Sequence, residues 1–423
     1  MKYTKKDYGS YRLHLIKTDK FKTITVRVCF RSPIKKNEIT IRNILSDMFM
    51  QSSEKYNSRR NLTIKAQDLY AADIESTNSR LGNYINTDFY LTVLNDKYTE
   101  QGNFKSALEF LSEIIFHPDV SDNKFNSEKL DIVKTTCRSA LNSLKEDTSK
   151  YSLVRLFENF SSNLPISYRM MGYIEDLDNI TEESLYRYYK KMIENDMVDI
   201  FVIGDIVPEE VSSLIKKYFK FNTLKKARIP YLVEEKKSHR KKNIVKETIE
   251  SSQSKLAIAC VTKGLTAYER NYPLSLFNVI YGGGSDSKLF KEVREENSLC
   301  YTIHSVPNKL DNVIIVRAGI DKSNYEKTVE LVQKCLLDMQ KGKFSENDIS
   351  IAKEYYNTAL DELEENESRI INNYYMMELI GIDDIETKRN KMNKVTKEEI
   401  IKVAKKISID TIFCLEGVKD ERN

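Results

Sequence analysis

The sequence predicts an α+β fold built from two similar halves, and three observations carry that reading. A stretch beginning at Phe125 returns at Phe344, an offset of 219. Each half closes on an N-capped helix followed by a short apolar strand. Strand and helix patterns mix without regular βα alternation, which disfavours a doubly wound sheet. The length suits this: 423 residues exceed one ordinary core and fit two domains of roughly 200 residues each. Hydrophobic residues make up 40% and charged residues 31%, enough to fill cores and coat them with solvated side chains.

The elements follow in order. Residues 23–30 read as a strand because Ile24, Val26, Val28 and Phe30 alternate with more polar neighbours. Residues 255–261 hold the corresponding place in the second half, and further strands are expected at 88–94 and 312–318. A helix is expected over residues 39–52. In the duplicated stretch, Leu130, Val133, Cys137, Leu141 and Leu144 fall on one helical face. Shifted by 219, the stripe becomes Ile349, Ala352, Tyr356, Leu360 and Leu363. The closing helix and strand are 181–204 in one half and 396–417 in the other. Between the halves, residues 222–250 contain Pro230 and a basic run over 236–242, which reads as a solvated linker or as a docking patch for an acidic partner or nucleic acid. The expected organisation is therefore a domain over 1–222, a basic linker over 223–250 and a domain over 251–423.

Charge and reactive residues exclude several classes. A net charge of +4 is too small for this length to imply nucleic acid or an anionic membrane. No stretch approaches the length of a membrane span, and residues 1–25 never assemble an apolar signal core, so a cytoplasmic location is expected. Cys29, Cys137, Cys260, Cys300, Cys335 and Cys414 lie far apart, without a Cys-x-x-Cys pair, and read as reduced thiols. His14, His117, His239 and His304 include no pair at a metal-ligand spacing. No cofactor is expected, and no cysteine and histidine form a visible nucleophile and base pair.

The second half carries a more specific pattern. Gly282, Gly283 and Gly284 follow Tyr281 and precede Arg294-Glu295, Leu299 and Tyr301. No Gly-Lys-Ser/Thr follows the glycines, so they do not make a phosphate loop; a tight turn opening a helix, using positive φ and close backbone approach, is the plain alternative. The glycine loop and the R-E-x-x-x-L-x-Y segment resemble those of the smaller members of the pitrilysin (insulinase) family of metallopeptidases. With the duplication, the resemblance covers nearly the whole chain.

That resemblance implies two homologous α/β-sandwich domains facing each other across a peptide-binding chamber. It also implies a helix bearing His-x-x-Glu-His, whose histidines hold zinc while the glutamate activates water, with a distant glutamate completing the metal site. Laid on that pattern, the histidine positions fall at Asn43 and Asp47, the general-base position at Ser46 and the distant glutamate near Ala140. No His-x-x-Glu-His or its reverse occurs in the chain. Asn and Asp replace paired imidazoles poorly, a serine hydroxyl is too weakly acidic to serve as the base, and Ala140 has no ligand atom. Asn43, Ser46 and Asp47 are then ordinary polar helix residues or the relict of a cation site, and the chain is not expected to be an enzyme by itself.

By contrast, Arg294 and Tyr301 match the family's Arg and Tyr. Those reach from the second domain of one half toward the zinc of the other and donate hydrogen bonds to the substrate carbonyl. From the residues alone, Arg294 would pair with Glu292 or Glu295 and Tyr301 would be a half-buried strand aromatic. The resemblance implies a non-catalytic subunit that binds peptide and completes the site of a zinc-bearing partner, in a heterodimer or with a second copy of itself. The alternative is a peptide-binding scaffold with no proteolytic partner, holding extended segments along a sheet edge.

Overall fold

The computed structural model of the protein describes residues 1–221, 229–237 and 241–418. The chain divides into two units, Met1–Ser143 with Arg169–Pro230, and Leu144–Tyr168 with Tyr231–Asn423.

In the first unit the strands are β1 (Lys2–Asp7), β2 (Arg12–Lys17), β3 (Thr23–Pro33), β4 (Asp73–Leu81), β5 (Tyr84–Leu94) and β6 (Met197–Gly204). They form one sheet in the order β1-β2-β6-β3-β5-β4, with β2 and β6 parallel and the other neighbours antiparallel. The alternation expected in β3 is present: Ile24, Val26, Val28 and Phe30 point into one core with Phe89, Leu91, Ile200 and Val202. Helices α1 (Ile39–Phe49), α2 (Asn103–Phe116), α3 (Ser127–Asn142) and α5 (Glu182–Asn195) cover that face through residues such as Ile44, Met48, Leu111, Val133 and Leu185. The opposite face is polar and still buried. Arg27 pairs there with Asp88 at 2.8 Å, and Asp199 on β6 receives Arg31 at 2.8 Å, Arg12 at 2.7 Å and His14 Nε2 at 3.0 Å. His14 also stacks on Phe201, and its Nδ1 meets the Tyr3 hydroxyl at 2.7 Å.

The second unit contains α4 (Thr148–Phe160), β7 (Asn243–Ile249), β8 (Ser254–Thr262), β9 (Cys300–Asn308), β10 (Val313–Ile320) and β11 (Ile407–Gly417). Its sheet runs β9-β10-β8-β11-β7, with β7 and β11 parallel. Read from β7, this is the order and sense of β2-β6-β3-β5-β4, so the duplication seen in the sequence is a duplication of topology. Helices α6 (Pro273–Gly282), α7 (Tyr325–Gln340), α8 (Glu346–Leu363) and α9 (Lys397–Ala404) pack on one face, where Ile349 and Ala352 of the repeated stripe join the core.

Two boundaries differ from the sequence reading. Residues 243–249 are a strand and not part of a linker, because β7 pairs with β11 along its whole length. The segment holding α4 precedes the repeat boundary yet belongs to the second unit: Leu156 and Phe160 pack on Ala257, Ala259, Val313 and Phe413 on the face opposite α6 to α9. An apolar stripe is buried wherever an uncovered sheet face receives it. Within the basic run, Lys236 bonds Asp410 and sits over the Phe160 ring at 4.1 Å, so it is not a freely solvated charge. Residues 222–228 and 238–240, including His239, lie outside the described residues.

Candidate functional site

In the first unit, α1 carries the positions of interest on a helix fixed by a buried arginine. Arg42 is enclosed and donates to Asp196 at 2.7 Å, Thr87 at 2.8 Å, Ser32 at 3.0 Å and the Phe30 carbonyl at 3.2 Å. One residue on, Asn43 spends both ends of its amide inside the protein. Its Nδ2 donates to the Met170 carbonyl at 2.6 Å, and its Oδ1 accepts from Asn78 Nδ2 at 2.9 Å. Ser46 is buried and shares a hydrogen bond of 2.7 Å with Ser76 on β4. Asp47 is exposed by surface area, but burial of its carboxyl pushes its pKa up. The group that senses it is Cys137 on α3, whose thiol is raised by burial and then by the Asp47 charge. Ala140, the position laid against the distant glutamate, lies farther along α3 with its surface exposed.

This donor set does not fit zinc. The amide and hydroxyl are committed to protein hydrogen bonds, and the Cys137 thiol is held away from the thiolate that binds metal. Among the described residues, no three His, Cys, Asp or Glu side chains gather as a ligand group. The sequence could not point to Asn78, Ser76 or the Met170 carbonyl, since each comes from a distant segment with no motif. Cys137 was legible as part of the apolar stripe of α3, but not as a neighbour of Asp47.

In the second unit, α6 ends at Gly282 and the chain turns through Gly283 and Gly284. None of the three has positive φ, so conformational freedom is not what requires glycine there. Close approach is. A Cβ on Gly282 would lie 2.6 Å from Ser305 Oγ and 2.7 Å from Leu289 Cδ1, and one on Gly283 would lie 2.8 Å from Val279 Cα, whereas Gly284 has nothing within 4 Å. A π-helix over Phe290–Glu295 follows.

Arg294 sits on that π-helix, exposed, with its guanidinium 4.7 Å from the centre of the Phe290 ring. It makes no ion pair among the described residues. Of the two partners that sequence proximity suggested, Glu292 is taken by Lys288 at 3.5 Å and Lys334 at 2.8 Å, while Glu295 makes no ion pair among the described residues. Tyr301 is 62% exposed, without a hydrogen-bond partner for its hydroxyl among the described residues. It occupies a bulge: Cys300 pairs with Ile320 and Thr302 with Gly319, leaving Tyr301 as the extra residue on β9. Between the two, Ser298 takes a left-handed conformation with φ 51°. The thiol of Cys300 is pushed up to about 11 by burial, with the Arg294 charge pulling the other way. Two unpartnered polar side chains thus stand on one short segment that loops from helix to edge strand.

Comparisons with known proteins agree on the fold, and the matched profile and one full-length relative are described as inactive. Residues 179–356 match the family profile described as the peptidase M16 inactive domain. A probable inactive metalloprotease of Bacillus subtilis, YmfF, is 29% identical over 98% of both chains. The uncharacterized zinc protease YmxG of the same organism is 24% identical over 80% of this chain and 81% of its own. Among solved structures, a conserved protein from Enterococcus faecalis superposes over the whole of both chains with a TM-score of 0.91 at 28% identity. A peptidase M16 inactive domain from Pseudomonas fluorescens does so with a TM-score of 0.81 at 16% identity. No helix among the described residues is long and apolar enough to cross a membrane.

Proposed function

We propose that this chain, a non-catalytic member of the peptidase M16 family, is the companion subunit of a zinc-bearing peptidase of the same fold, holding peptide and lending Arg294 and Tyr301 to its partner's active site. The observation that carries the reading is that both side chains are exposed and make no ion pair or side-chain hydrogen bond among the described residues, while Glu292 is neutralised elsewhere. An exposed arginine gains little from pairing with a neighbouring carboxylate, and leaving it free suits a ligand supplied from outside. Pairing draws further support from B. subtilis, where relatives of this chain include both a probable inactive metalloprotease and a zinc protease.

The chemistry is hydrogen-bond donation. As a water adds to a peptide carbonyl held at the partner's metal, the carbonyl oxygen gains negative charge. A guanidinium and a phenol aimed at it bind the transition state better than the ground state. Losing such a donor typically slows turnover on the order of a hundredfold. The test is reconstitution with a zinc-bearing partner, following peptide cleavage and complex formation together. Arg294→Ala and Tyr301→Phe are expected to leave the complex assembled while cleavage falls at least about tenfold. Asp47→Asn should change cleavage little. Full activity in both Arg294 and Tyr301 variants puts the other reading first: a scaffold that holds an extended peptide along the outer edge of β4, whose pairing with β5 runs without interruption from Asp73 to Leu81.

A further inference from the structure

The face of the second sheet beneath α4 changes character along its length. Toward one end, strand alternation sets Ala257, Ala259 and Ile315 under Leu156 and Phe160. Followed to the other end of the same strands, the alternation delivers Lys255 on β8 and Arg317 on β10. His304 of β9 lies directly opposite Arg317 in the ladder. The first turn of α4 stands over them with Ser149 and Ser152. These side chains, with Thr302, line a cavity of about 100 Å³ that opens to solvent.

Lys255 and Arg317 are the cations of this cluster, and His304, held below its usual pKa, is a neutral imidazole at pH 7. Among the described residues neither Lys255, His304 nor Arg317 has an ion-pair partner. Arg317 spends Nη2 on the Ser149 carbonyl at 2.9 Å, and Lys255 bonds the Gln253 side-chain oxygen. Burial and then the Arg317 charge push both Lys255 and His304 below their usual pKa values. The carboxylate whose charge reaches Lys255 is that of Asp147, and one of its oxygens caps α4 by accepting from the Lys150 amide at 2.9 Å. The first turns of the thirteen-residue α4, capped by Asp147, border the same space. Like charges drawn from two adjacent strands into one partly enclosed space repel each other, and an anion placed there relieves that repulsion.

We propose that this cavity binds a dianionic phosphoryl group, either inorganic phosphate or the phosphate of a larger molecule whose remainder stays outside the mouth. Its size admits one such group, since cavities that enclose whole small molecules run from about 300 Å³. Phosphate accepts from an ammonium, an imidazole N–H, the remaining guanidinium N–H groups and the Ser149 hydroxyl together, more donors than the two oxygens of a carboxylate serve. The site is independent of Arg294, of Tyr301 and of any peptidase partner.

Calorimetry and phosphorus NMR on the full chain test it, using inorganic phosphate at constant ionic strength with acetate and chloride as controls. Saturable phosphate binding is expected, weakened at least about tenfold in Lys255→Gln and several-fold in His304→Gln. Both variants should melt at or above the temperature of the unaltered chain without phosphate, which separates lost binding from lost folding. A short phosphoserine peptide compared with inorganic phosphate distinguishes the sources: tighter binding of the peptide assigns a phosphorylated chain as ligand, and equal binding assigns free phosphate. Absence of saturable phosphate binding overturns the proposal, and so does binding that both variants retain in full.

Discussion

Replacing Asp199 with Asn tests the buried charge cluster on the polar face of the first sheet. The substitution keeps shape and one acceptor oxygen but removes the charge that three donors share. Arg31 is 2% exposed and Asp199 1%, so the guanidinium left behind has no water to turn to, while Arg12 at 20% is partly solvated. Breaking a buried pair from one side typically costs about 3–5 kcal/mol, and the solvated Arg12 adds little to that. The expected loss is therefore about 3–5 kcal/mol in the first unit. Because the chain has two units, a single unfolding transition is not assured, and hydrogen exchange in peptides from β2 and β6 should accompany urea denaturation. Acidity supplies a second readout. Burial opposes the Asp199 charge, but the His14 hydrogen bond and the Arg31 and Arg12 charges overcome it and hold the carboxyl far below the ordinary range. A depressed folded pKa gives stability that is full above the unfolded value of about 3.9 and is lost as pH falls toward the folded one. The gap between the unaltered chain and Asp199→Asn should then be constant near neutrality and narrow below about pH 4. A loss under about 1 kcal/mol at pH 7, or a gap that widens in acid, would refute the reasoning.

Two further outcomes follow from local geometry. Gly282→Ala should destabilise the chain by about 1–3 kcal/mol through its contacts with Ser305 and Leu289, whereas Gly284→Ala should be neutral in the same thermal melt; equal effects would remove steric approach as the reason for glycine. In the native chain a charged disulfide reagent should reach only the partly exposed Cys137 and Cys300, slowly at pH 7 and faster as pH rises, and Asp47→Asn should speed Cys137 without altering Cys300. Unchanged Cys137 labelling would mean that Asp47 does not act on it.

What was legible in the sequence was what depends on near neighbours. Ile24 to Phe30 alternate with period two and Leu130 and Val133 follow a helical period, so core faces could be read without partners in view. The strand β7 could not be, because its exposed positions Ile244, Lys246 and Thr248 mix apolar, charged and polar residues, and its parallel partner β11 lies far along the chain. Helix α4 was not read from the sequence, and the strands that bury Leu156 and Phe160 lie far along the chain. At the candidate site, Arg294 and Tyr301 were found through their match to the pitrilysin family's Arg and Tyr. Their freedom from partners was not, because it depends on Lys334 claiming Glu292 from another helix and on a bulge that only the ladder reveals. The cluster beside α4 was invisible for the same reason: Lys255, His304 and Arg317 share no motif and meet only when three strands align.

The place of α4 also sets a clock on synthesis. The helix ends at Phe160, but the strands it covers are not all made until β11 closes the second sheet at Gly417, roughly 250 residues later. At ribosomal rates of about 5–20 residues per second, Leu156 and Phe160 wait on the order of ten seconds to a minute for the surface that buries them. During that interval the nascent chain displays an amphipathic helix beside a first unit already able to fold, which makes residues 148–160 the stretch most in need of a chaperone's cover.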